Sequence, residues 1–220
     1  MSLHRSSPMS KLTRRRFLRT TAGLLAAGSL PATAADLVLT PRQPAGPFYP
    51  LEPPLDDDND LTRVRGQAQP AEGQITDLGG RILDRNGKPL DGVRIEIWQC
   101  DANGRYRHPR DNGQRAPDPN FQGFGHTLTT QGGNYRFRTI RPHPYPGRTP
   151  HIHVAVFPEG AEHFVTQLYV ADDPRNADDF LFQRVPEALR HLVSTEFRPT
   201  GKEDVKLVAN WDIVLGITPV

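Results

Sequence analysis

Cysteine is nearly missing: Cys100 is the one thiol in 220 residues. No intramolecular disulfide framework can form, so packing rather than crosslinks must hold the fold. Cys100 follows Trp98-Gln99 near a strand end, the setting of a buried structural thiol. An excess of one charge is also lacking, with 27 Lys and Arg against 25 Asp and Glu. Nothing therefore marks the chain for nucleic acid. Internal repeats and a second domain are not evident. The acidic run Asp56-Asp57-Asp58-Asn59-Asp60 lacks the spaced ligands and glycine of an EF-hand and reads as a solvated loop. The apolar stretch TTAGLLAAGSL (20–30) is too short and glycine-rich for a stable membrane anchor.

That stretch has a different use. TRRRFLR (13–19) precedes it, and Ala32-Thr33-Ala34 follows as a small-residue cleavage site. A basic start, a brief apolar run and an A-x-A site make residues 1–34 a twin-arginine signal peptide. The expected location is periplasmic or secreted, reached through the twin-arginine export machinery. The segment carries Arg5, Lys11, Arg14, Arg15, Arg16 and Arg19 but no acid, so its removal turns the net charge of +2 negative.

Residues 35–73, rich in Pro, Asp and Gly, read as an extended N-terminal arm. From 74 to 220 the pattern is β. QITDLGGRILD runs into Asn86-Gly87, a hairpin signal. GVRIEIWQ (92–99) alternates Val93, Ile95 and Ile97 with Arg94, Glu96 and Trp98, which predicts one buried face. HTLTT, QGGN and YRFRTI (135–140) read as a second hairpin. HIHVAVF (151–157), HFVTQLYV (163–170), LVSTEF (192–197) and KLVANWDIVLG (206–216) complete about eight short strands. The fold class is all-β, an antiparallel β-sandwich with long loops and one short helix around 176–183. Residues 100–125 break the rhythm as a long aperiodic loop, and they carry Tyr106.

The chemistry-bearing run is PYPGRTPHIHVAVF (144–157). Strand alternation sends His151 and His153 to one face and Ile152, Val154 and Val156 to the other. Tyr145 lies just upstream, and the loop could bring Tyr106 beside it. A phenol ionises near pH 10, so a strongly charged hard cation is needed to hold it as phenolate. Two imidazoles with two phenolates suit ferric iron, whereas zinc takes thiolate, imidazole or carboxylate. The other histidines of the sheet and loops, His108, His126, His143, His163 and His191, read as surface or neighbouring positions.

EIWQCDANGRYRHPRD (96–111), DPNFQGFGHTLTTQGGNYRFRTIRPHPYPGRTPHIHV (118–154) and TQLYVADDP (166–174) resemble the intradiol ring-cleavage dioxygenases. The likeness is closest to protocatechuate 3,4-dioxygenase catalytic subunits and covers most of residues 41–216. It implies a non-haem Fe(III) cofactor held by Tyr106 and His151 as equatorial ligands and by Tyr145 and His153 as axial ones. Tyr145 would be the ligand that leaves when substrate binds. Arg148 matches the family's active-site arginine, Gln167 a glutamine near the bound ring, and Tyr49 in GPFYP (46–50) a substrate-pocket tyrosine. The implied substrates are a small aromatic diol and O2. The implied reaction inserts oxygen between the hydroxyl-bearing carbons to give a cis,cis-muconate-type diacid, with no organic cofactor.

Two departures bear on substrate. Only PGRTP (146–150) separates Tyr145 from His151, shorter than in the family's protocatechuate enzymes, and an export signal is unusual for central aromatic catabolism. Self-association into a homo-oligomer is compatible with the sequence. Two other readings remain open at this level. GRILDRNGKPLDGVRIEIW also resembles transthyretin-like sandwiches, which are non-catalytic binding modules. A zinc hydrolase could use His151 and His153, although the run offers no third imidazole or carboxylate.

Overall fold

Alternation along the chain becomes strand pairing from residue 75 onward. The computed structural model describes residues 37–216 except Pro53 and Leu55, so the signal peptide expected at 1–34 lies outside the described residues. The strands are β1 (Ile75–Asp84), β2 (Arg94–Trp98), β3 (Phe124–Leu128), β4 (Asn134–Ile140), β5 (His151–Phe157) and β6 (Phe164–Val170). Shorter strands follow: β7 (Ser194–Thr195), β8 (Arg198–Pro199), β9 (Leu207–Asn210) and β10 (Ile213–Leu215).

One sheet is organised around β1, which pairs with β4 on an antiparallel register and with β9 and β10 on parallel ones. The other runs β3-β2-β5-β6-β7, antiparallel except for the parallel β6–β7 pair. The expected sandwich is present, with both sheets mixed in direction. Leu78 and Ile82 of β1, Phe137 of β4 and Ile213 of β10 share one core with Ile95 and Ile97 of β2 and Ile152, Val154 and Val156 of β5.

Local turn signals are correct in place but not in consequence. Asn86-Gly87 does turn the chain, with Gly87 at φ +80 and Asp84 N donating to Lys88 O at 2.9 Å. The returning segment pairs with β1 only around Leu83–Pro89, and β2 then joins the other sheet. Likewise Thr130 pairs with Asn134 around Gly132-Gly133, yet β3 and β4 belong to different sheets. A turn specifies reversal of the chain; partner choice depends on longer-range packing. The run KLVANWDIVLG divides at Trp211-Asp212 into β9 and β10. There Trp211 N donates to Gly79 O at 2.9 Å, and a Cβ on Gly80 would sit 1.8 Å from Trp211 O, so only glycine fits. The expected helix is two pieces, a 3₁₀ turn at Pro174–Ala177 and α1 (Phe180–Arg184), because Asp173 and Asp179 each cap a new start.

The second face of the β3-β2-β5-β6-β7 sheet is covered around Glu96 and Trp98, contrary to the one-face reading of GVRIEIWQ. Glu96 and Trp98 are buried because residues 41–49 and the loop after β2 lie over them. The arm is stitched on by Gln43 N to Val165 O at 2.9 Å and by Thr166 Oγ1 to Pro41 O at 2.8 Å.

Candidate metal centre

Strand register lays out the site's floor. Trp98, His153 and Gln167 are cross-strand partners in β2, β5 and β6, and His151 is paired with Tyr169. All five side chains are buried on the face away from the sandwich core. A second apolar cluster covers this face, with Trp98, Cys100, Tyr106, Phe124 and Ala155 at its centre.

The long loop that carries Tyr106 is ordered by carboxylates rather than by periodic structure. Asp101 accepts backbone N–H groups from Asn103 (2.8 Å), Arg105 (2.9 Å) and Asp118 (2.6 Å). Asp111 accepts from Tyr106 N at 2.6 Å while pairing with Arg105 Nε at 2.9 Å. Aspartate turns of this kind replace a hydrogen-bond ladder. On the other side, Tyr145-Pro146-Gly147-Arg148 closes a tight turn, with Arg148 N donating to Tyr145 O at 2.9 Å. Gly147 takes φ +82 there. The short PGRTP segment therefore folds Arg148 back onto Tyr145.

The result is a closed circuit of four rings. Centroids are 5.6 Å apart for Tyr106–Tyr145, 5.5 Å for Tyr145–His151, 4.8 Å for His151–His153 and 6.1 Å for His153–Tyr106. His151 Nδ1 donates to Thr149 O at 2.6 Å, which leaves Nε2 with its lone pair inward. That Nε2 is 3.2 Å from His153 Nε2. Tyr106 Oη and His153 Nδ1 are buried without a hydrogen-bond partner among the described residues.

Burial sets the ionisation. It lowers His151 to about 3, helped by the Arg148 charge. It drives His153 well below its ordinary range, with His151 adding to the effect. Burial also raises Tyr106 well above the usual phenol value, and raises Tyr145 against the opposing Arg148 charge. The protein alone thus presents neutral imidazoles and protonated phenols. Converging lone pairs and an orphaned buried phenol fit a strongly charged cation, which offsets the cost of unsatisfied polar groups and draws off the phenol protons.

Arg148 divides its donors. Nε goes to Asp179 Oδ2 at 2.8 Å and Nη2 to Gln167 Oε1 at 2.6 Å. Nη1 reaches Tyr145 Oη at 3.3 Å and lies 3.4 Å from His151 Nε2. Gln167 Nε2 donates to Pro44 O at 2.9 Å, so the glutamine links the arm to Arg148. Burial opposes the Asp179 carboxylate, but hydrogen bonds from Phe182 N, Arg148 and Thr149 N outweigh it and keep the group ionised.

Tyr106, Tyr145, Arg148, His151, His153 and Gln167 are thus brought together. Tyr49 stands apart: its hydroxyl donates to Glu96 Oε2 at 2.8 Å and its ring meets the edge of Trp98 at 5.0 Å. Its neighbour Phe48 faces the circuit instead, stacked on Tyr106 at 4.6 Å and edge-on to Tyr145 at 6.0 Å. Gly46, at φ +72, lets the arm pass His153, where a Cβ would come within 3.2 Å of the imidazole Cε1. Phe48, Gly46, Trp98 and Asp179 carry no local signal of this role; GPFYP and EIWQ mark the segments but not which side chain turns inward.

Comparison with known proteins shows similarity to dioxygenases. A dioxygenase family profile matches residues 45–216. The chain is 36% identical over 197 residues to the protocatechuate 3,4-dioxygenase beta chain of Burkholderia cepacia, covering 79% of this chain and 84% of that one. It is 29% identical over 157 residues to a catechol 1,2-dioxygenase of Candida albicans, covering 62% of this chain and 50% of the other. It spans about half the length of the catechol 1,2-dioxygenases it matches. Among solved structures, the dioxygenase domain of a carbohydrate-binding fusion protein from Streptomyces sp. SirexAA-E aligns with TM-score 0.62 and 30% identity, covering 82% of this chain and 100% of that chain. An intradiol ring-cleavage dioxygenase from Tetranychus urticae shares the fold at TM-score 0.64 and 23% identity, over 81% of this chain and 94% of that chain.

Proposed function

The chain belongs to the intradiol ring-cleavage dioxygenase family, and on that premise we propose that it is a non-haem Fe(III) enzyme acting on a catechol-type diol. The proposed reaction consumes O2, opens the ring between the two hydroxyl-bearing carbons and releases a cis,cis-muconate-type diacid. The observation that carries this reading is the circuit of Tyr106, Tyr145, His151 and His153, with both Nε2 atoms 3.2 Å apart. Those four side chains would hold the iron. Bound there, ferric iron would supply Lewis acidity toward both diol oxygens and activate the ring toward O2.

The protein's own groups have separable tasks. Tyr106 is almost fully buried, whereas Tyr145 is half-buried, so Tyr145 is the residue whose phenolate, formed were iron bound, would be suited to withdraw and take up a diol proton at Oη. Arg148 Nη1, beside Tyr145 Oη and His151, can face charge that develops on the reacting ring. Phe48 offers an apolar wall and, with Trp98, keeps water from the imidazoles.

The alternatives fit less well. A binding module without metal would leave Tyr106 Oη buried and unsatisfied, at a cost of roughly 1–3 kcal/mol, with nothing in return. A zinc hydrolase lacks its donors, because among the described residues no group of three or more His, Cys, Asp or Glu converges. The twin-arginine pattern at 13–19 supports a periplasmic or secreted enzyme, exported already folded. The experiment is ferric titration of metal-free protein: tyrosinate-to-iron charge transfer should turn it red-brown. A preparation that stays colourless would contradict the reading.

A further inference from the structure

We propose that Asp179 is the positioning residue through which Arg148 and His151 are held ready for reaction, a role that rests on the ring-cleavage reading above. Its side chain is 0% exposed. Oδ2 accepts from Arg148 Nε at 2.8 Å and from Thr149 N at 2.9 Å. The carbonyl of the same Thr149 accepts from His151 Nδ1 at 2.6 Å. One oxygen thus fixes both a guanidinium and the backbone of Thr149, the residue whose carbonyl orients the His151 imidazole.

The other oxygen does a separate job. Oδ1 caps α1, accepting from Leu181 N at 3.1 Å and Phe182 N at 2.9 Å. A cap alone needs one oxygen and no charge, and Ser, Thr or Asn would serve. Here a carboxylate spans from the helix start to residues 31 and 30 positions earlier in the chain.

Geometry says why charge is needed. The Arg148 side chain is only 7% exposed, and a buried guanidinium without a carboxylate is strongly disfavoured. Asp179 takes Nε and Gln167 takes Nη2, so a planar fork leaves Nη1 as the donor facing Tyr145 Oη and His151 Nε2. Without Asp179, the guanidinium loses the contact that fixes Nε, and Nη1 is no longer held at a set position against those two atoms. They are the lone pairs wanted for iron.

The test is a double-mutant cycle on the full chain. Asp179→Asn keeps a cap oxygen and removes the charge; Asp179→Ser is a second capping variant. Each is made alone and with Arg148→Gln. On iron-loaded protein with catechol, Asp179→Asn should lower kcat by about 10–100-fold with little change in KM, and shift the visible band. In the Arg148→Gln background the same change should add less than about threefold, because groups acting as a unit are not additive. On iron-free protein, Tm should fall in the single Asp179 variants and partly recover in the doubles, where the unpaired charge is gone. If both single variants fail to fold while the doubles fold, the pairing stands. Equal losses of kcat with and without Arg148 would overturn the proposal, as would a lower Tm with unchanged kcat and band, or doubles that also fail to fold. If wild-type protein loaded with iron does not open catechol, the ring-cleavage reading fails instead, and the iron-free Tm cycle still decides whether Asp179 holds Arg148.

Discussion

Trp98 lies flat on His153, with ring centroids 4.9 Å apart and planes within 6°. The two are cross-strand partners in β2 and β5, and both are buried. The indole is a wall that holds the imidazole plane and excludes water from its far side. Trp98→Ala should cost about 3–5 kcal/mol of stability and speed iron loss. Trp98→Phe keeps a flat face and should cost much less. Urea unfolding of iron-free protein and chelator-driven iron release check both; an alanine variant with wild-type midpoint and release rate would refute the role.

The four candidate ligands should not be equivalent. Tyr106 is 3% exposed and His151 is 1% exposed, so Tyr106→Phe and His151→Ala should bind far less iron. Tyr145, half-buried and in contact with Arg148 Nη1, should tolerate Tyr145→Phe with iron retained and the visible band altered. Metal analysis and absorption spectra decide. Wild-type iron content and spectrum in Tyr106→Phe, Tyr145→Phe, His151→Ala and His153→Ala alike would put the metal elsewhere.

Cys100 should be chemically silent in the folded protein. Burial, with the Asp101 charge adding, pushes its thiol up to about 12, and Sγ donates to His143 O at 3.2 Å. The nucleophile is the thiolate. A raised folded value means the unfolded chain releases the proton first. The thiol's contribution to stability is therefore intact at neutral pH and is lost as pH rises from about 8.5 toward 12. Iodoacetamide labelling should stay negligible between about pH 7 and 9 in native protein, and rise steeply with pH once urea is added. Native labelling that follows an ordinary thiol titration would contradict this.

Export should depend on the arginine pair. Arg14→Lys with Arg15→Lys should leave precursor in the cytoplasm, because the receptor reads guanidinium groups rather than charge alone. Fractionation and immunoblotting give the answer; unchanged delivery to the cell envelope would mean another signal operates.

Much of this was legible from period and spacing. Ile95, Ile97, Ile152, Val154 and Val156 alternate, so the sandwich core was readable, and the same period places His151 and His153 on one face. Tyr145 is near them in sequence, and Tyr106 stands out in an aperiodic loop. What escaped depends on distance along the chain. The parallel pairing of β1 with β9 and β10 joins segments over a hundred residues apart, and no local pattern encodes it. Trp98 meets His153 only through strand register, and Asp179 meets Arg148 only when α1 docks. In the arm, irregular backbone has no face rule, so GPFYP could not show that Phe48 rather than Tyr49 turns toward the rings.

The most direct measurement is product analysis under isotopically labelled O2. Iron-loaded protein is given catechol, and the product is identified by mass spectrometry. The expected product is an acyclic cis,cis-muconate-type diacid with both labelled oxygen atoms incorporated, one in each new carboxyl group. An intact ring, or an aldehyde-acid from cleavage outside the diol, would contradict intradiol chemistry at this site.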